Sequence, residues 1–173
     1  MAEKHVDEVN TSTARIIDGH KLSEFIYGTV TGMVAVTGIS GDDETSWLGA
    51  ATIIVSGAAA IWIAHAYSML ISKRVTLGRR LGVNDLTETL SGSWPIVTAG
   101  AILSVPILLV ALNAWSLDFA LTVSSLLGVA ILALVGYFAG VLSGESWSRR
   151  LLLVALSAGL GLAVIAGEFA AHH

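Results

Sequence analysis

Five stretches of this chain, residues 25–40, 47–71, 94–112, 119–142 and 151–166, contain no Asp, Glu, Lys or Arg. A helix needs about 20 predominantly apolar residues to cross the hydrocarbon of a bilayer, with a range of about 17–25. The five stretches match that length closely. Their apolar runs are continuous rather than alternating every second residue, which favours helices over a β-barrel. Charged residues make up 13% of the 173 residues and hydrophobic ones 54%. A soluble domain carries about 25% charged residues, so lipid must solvate much of this surface. The sequence therefore predicts an all-α membrane bundle of five transmembrane helices. Pro106 falls inside the third span, where neighbouring groups can satisfy the carbonyl it frees.

The cations fix an expected orientation. Lys4, Arg15 and Lys21 precede the first span. Lys73, Arg74, Arg79 and Arg80 follow the second, and Arg149 and Arg150 follow the fourth. Those nine are every Lys and Arg in the chain. Five spans place all of them on one side, and a four- or six-span count would break that partition. The positive-inside rule makes that side cytoplasmic. The expectation is a multi-pass protein of the cell membrane with its N-terminus inside and its C-terminus outside. Residues 1–22 read as a cytoplasmic N-terminal segment with room for a short amphipathic helix. Residues 23–171 read as one five-helix transmembrane domain. Trp47, Trp94, Trp115 and Trp147 fall at the predicted helix ends, as interfacial anchors do.

Small residues recur every four positions: Gly28 and Gly32 in the first span; Ser56, Ala60, Ala64 and Ser68 in the second; Gly136, Gly140 and Gly144 at the end of the fourth; Gly159, Ala163 and Gly167 in the fifth. Such rows allow close helix packing or a sliding or dimer surface. In the longest loop Asp85 and Glu88, three apart, resemble a capping box that starts a short helix before the third span.

Several function classes are excluded or unsupported. There is no cysteine, hence no disulfide and no thiolate site. No basic cluster interleaved with aromatics points to nucleic acid. No nucleophile elbow, zinc-protease motif or phosphate-binding loop marks an enzyme or a cofactor site.

Ionisable residues in membrane spans are expensive and therefore site candidates. Glu24, at the mouth of the first span, reads as an ion or proton acceptor, or as a helix N-terminal carboxylate beside Lys21. His65, inside the second span, reads as a metal or proton ligand, or as a histidine hydrogen-bonded to a neighbouring helix. Trp62, Ser68 and Met69 share its face, and no acidic residue lies one turn away. Thr31 and Thr37 read as hydrogen-bonding across helices, lining a path or bonding back to their own helix. Glu168, the loop acids Asp42, Asp43 and Glu44, and His5, His20, His172 and His173 read as solvated.

Several stretches resemble the vacuolar iron transporter family. They are LSEFIYGTVTGMVAVTG at the first span, GAAAIWIAHAYSMLISKR in the second, AILSVPILLVAL in the third, and GYFAGVLSGESWSRRLLLVALSAGLGLAVIAG across the last two. The resemblance covers about residues 15–170. It implies a homodimer of five-helix protomers that moves Fe²⁺, Mn²⁺ or related divalent cations out of the cytoplasm, commonly in exchange for protons. The ion is then substrate rather than resident cofactor, on a path lined by Glu24, Thr31 and His65. The family's acidic position in the first helix falls here on Thr31. Its acidic and Met positions in the second fall near Val55 and Ile63. The Glu-rich cytoplasmic domain is missing. Fe²⁺ favours carboxylate, imidazole or water, which those three side chains do not replace. The alternative is a membrane scaffold or subunit that kept the fold and lost the ligands.

Overall fold

The computed structural model describes the backbone of residues 2–39 and 45–171, and within these the side chains of all but 2–18, 168, 169 and 171. The described residues form six helices: α1 (Ala2–Ile39), α2 (Trp47–Leu77), α3 (Val83–Gly92), α4 (Trp94–Val110), α5 (Leu117–Leu142) and α6 (Trp147–Ala171). Five segments are long and apolar enough to cross a membrane, α3 and α4 counting as one. Exposed Val, Leu and Phe side chains cover the outer faces of α2, α4, α5 and α6. So extensive an apolar surface is untenable in water, and the chain is a multi-pass membrane protein.

Local chemistry sets the helix ends. Ser46 caps α2, its hydroxyl accepting from Gly49 N–H at 3.2 Å. Gly78, in the left-handed region at φ 59°, ends it by donating its N–H to Arg74 O. Only a residue without a Cβ takes that turn at little cost. Ser116 caps α5 in the same way as Ser46 caps α2. Pro95, in the first turn of α4, occupies a position where no N–H is needed. Trp47, Trp94 and Trp147 each open a helix, and Trp115 immediately precedes the α5 cap.

The short helix before the third span is present, but its cap differs from the expected one. Gly82 is the N-cap and Asp85 the third helical residue, its carboxylate accepting from Gly82 N–H at 2.8 Å. Glycine has no side chain to return the bond, so only half of a capping box exists. Glu88 instead meets Lys73 at 3.2 Å. Arg79 forks onto both Asp85 oxygens at 2.9 Å. That fork and the Gly82 amide together occupy both Asp85 oxygens.

Helices α1, α4 and α5 form the inside of the bundle. α2 packs on α1 and α4, and α6 on α5 and α1. One core cluster joins Val36, Ile39, Ile54, Ile107 and Leu121 at the end of the α1–α2 connection. A second, centred on Met33, Leu103 and Leu132, fills the middle. Lipid gives no hydrophobic drive for helix association, so close approach matters most. A Cβ on Gly28 would lie 2.6 Å from Ile96 Cα, and one on Gly136 would lie 2.7 Å from Leu153 O. These glycines are where α1 meets α4 and α5 meets α6.

The other small-residue rows do not pack against neighbouring helices among the described residues. Ser56, Ala60, Ala64 and Ser68 are all exposed on α2. Gly159 and Gly167 face open space, and α6 instead presents Gly161 to Val129 and Leu132. Periodicity alone does not say which side of a helix carries the neighbour.

Candidate functional site

Glu24 and His65 meet. A 2.7 Å hydrogen bond joins Glu24 Oε1 to His65 Nε2, across 41 positions of sequence and between α1 and α2. Glu24 is 3% exposed, and its second oxygen, Oε2, has no partner among the described residues. His65 is more open, with its side chain 29% exposed.

Glu24 does not occupy a helix N-terminus. α1 begins at Ala2 and runs without a break to Ile39, so Glu24 sits in mid-helix, far from the helix-dipole end. Its closest described partners are histidines rather than Lys21. His20 Nε2 lies 3.4 Å from the same Oε1, one turn back along α1. The His20 side chain is 44% exposed, so the cluster reaches the surface of the bundle through it. Sequence reading placed His20 among solvated residues. Its i,i+4 spacing to Glu24 is the signal that would have found it, once the helix was extended back through residues 19–24. Tyr27, one turn further in, places its ring 5.7 Å from that of His65.

The remaining residues on the His65 face act elsewhere. Trp62 Nε1 donates to Leu90 O at 3.3 Å, and its ring meets Trp94 edge-on at 5.9 Å. This double contact ties α2 to α3 and α4 and fixes the azimuth at which His65 points to α1.

The threonines bond to their own helix. Thr31 Oγ1 donates to Tyr27 O at 2.9 Å with Gly28 O at 3.2 Å, and Thr37 Oγ1 pairs likewise with Met33 O and Val34 O. Thr29 donates to Phe25 O. Thr31 is not brought to the Glu24–His65 pair by any described bond. Val55 and Ile63 are exposed on the outer surface of α2. Ser93 and Ser124 hydroxyls are buried and without a partner among the described residues. Asp42, Asp43 and Glu44, and the side chains of His5, Glu168, His172 and His173, lie outside the described residues.

Among the described residues no three ligands are preassembled around a metal-sized space. Glu24 and His65 stand in direct contact at 2.7 Å. The arrangement can exchange a proton, or release the carboxylate to a cation that displaces the imidazole. Comparison with protein-family models, curated proteins and solved structures finds no match to this chain.

Proposed function

We propose that this protein is a membrane transporter of divalent cations, of the kind that vacuolar iron transporters represent, with Glu24 as the carboxylate that receives the ion. One observation carries the reading: a nearly fully buried carboxylate in a membrane-spanning helix, one oxygen latched by His65 and the other without a partner among the described residues. A buried carboxylate is costly unless it is paired, and ionisable residues kept in membrane spans are site candidates for that reason.

In this reading the closed protein holds Glu24 on His65 and His20. A first-row divalent cation accepts carboxylate and imidazole readily. It enters past His20, takes the Glu24 carboxylate and breaks the bond that joins α1 to α2. The N-terminus and the cationic connections face the cytoplasm, so movement is outward. A homodimer completes the path along α1.

A scaffold role is the second reading, and one observation favours it. Beyond Glu24 the interior is closed by Met33, Leu103 and Leu132, none more than 1% exposed. Fe²⁺ or Mn²⁺ flux in proteoliposomes separates the two. Transport requires flux above that of empty vesicles. Correctly inserted protein with no excess flux leaves the scaffold.

A further inference from the structure

The connection from α2 to α3 is built from a strongly charged segment with apolar side chains turned outward. Residues 73–88 carry four cations, Lys73, Arg74, Arg79 and Arg80, and two carboxylates, Asp85 and Glu88, for a net charge of +2. The carboxylates are taken, Asp85 by Arg79 and Glu88 by Lys73. Arg74 and Arg80 are exposed, and among the described residues neither guanidinium has an acidic partner. Val75 and Val83, on either side of this turn, are 78% and 75% exposed, and Leu77 and Leu86 are also open. Between the end of α2 and α3 lies an open groove of about 400 Å³, lined by Ser72, Thr76 and the two ion pairs.

Helix length sets the depth of this surface. α2 has 31 residues, about 46 Å at 1.5 Å per residue. The hydrocarbon layer is about 30 Å thick. With Trp47 at one interface, the hydrocarbon ends near residue 67, and Arg74 stands about 10 Å further, among the headgroups. Free guanidinium groups at that depth stand level with the lipid phosphates. Arg also suits phosphate by its planar fork of donors.

We propose that the α2–α3 elbow is a binding site for an anionic phospholipid headgroup, held by Arg74 and Arg80. The site is distinct from the Glu24–His65 pair and does not depend on transport.

Native mass spectrometry of the full chain in mixed micelles of phosphatidylglycerol and phosphatidylcholine tests it. Wild type retains phosphatidylglycerol in preference to phosphatidylcholine, and the preference shrinks as salt is raised. The double variant Arg74→Gln/Arg80→Gln loses roughly thirtyfold in that preference, from two cations near an anionic surface. Arg149→Gln, which removes a cation paired with Glu145 at the other charged connection, keeps it. Equal retention of the two lipids by wild type overturns the proposal whether or not the variant folds. So does undiminished preference in the folded double variant. Retention of an acidic peptide with no lipid preference also overturns it, and assigns the surface to a protein partner.

Discussion

At the scale of single residues, the Glu24–His65 bond is the feature with the largest consequences. Removing one member of a buried pair leaves the other unsatisfied, at a cost of about 1–3 kcal/mol. His65→Ala should therefore lower the unfolding midpoint in detergent. Glu24→Gln should cost less, because an amide still meets the imidazole. The two changes together should cost less than their sum, with a coupling of about 0.5–3 kcal/mol. A double-mutant cycle on chemical unfolding checks this, and strict additivity would mean the bond contributes nothing. The sequence made both residues visible as candidates, since each is a polar group in or beside an apolar run. It could not pair them. The 41 positions between them span two helices and a turn, and helical spacing relates only residues on one helix. His20 was hidden for a different reason: the first helix starts well before its apolar stretch, and hydropathy marks only the lipid-buried part.

At the scale of elements, two contacts carry specific expectations. Gly28→Ala pushes a methyl group against the Ile96 backbone, and overpacking of this kind costs typically 1–3 kcal/mol. Gly159→Ala meets open space and should be neutral or slightly stabilising, because alanine is the better helix former. Thermal melts of the two variants in the same detergent make the comparison. The α2–α3 clasp rests on Asp85, which accepts from Arg79 and from Gly82 N–H. Asp85→Asn should lower amide exchange protection over residues 82–92, and unchanged protection would mean that the clasp contributes nothing there. At this scale the sequence was most legible. The spans, their Trp ends and the helix before the third span all follow from apolar run length and turn chemistry. What it lacked was azimuth: the rows on α1 and α5 pack inward while those on α2 and α6 face out, and a four-residue repeat reads the same in both.

At the scale of the molecule, the bundle has a packed centre of α1, α4 and α5 and two flanking helices, α2 and α6, whose outer faces belong to lipid or to another chain. Glu24 lies on a central helix and His65 on a flanking one, so their bond joins the two layers. Anything that competes for Glu24 acts on the seam between α2 and the centre. The proposed path begins at this seam, and the apolar plug of Met33, Leu103 and Leu132 is what must part for an ion to continue. The central claim is that Glu24 accepts the ion, and electron paramagnetic resonance of Mn²⁺ with the purified full chain tests it most directly. The account predicts that wild type removes the free Mn²⁺ signal at stoichiometric protein, that Glu24→Gln weakens this binding at least tenfold while keeping its fold, and that Thr31→Ala leaves it unchanged. Binding by folded Glu24→Gln equal to that of wild type would contradict it.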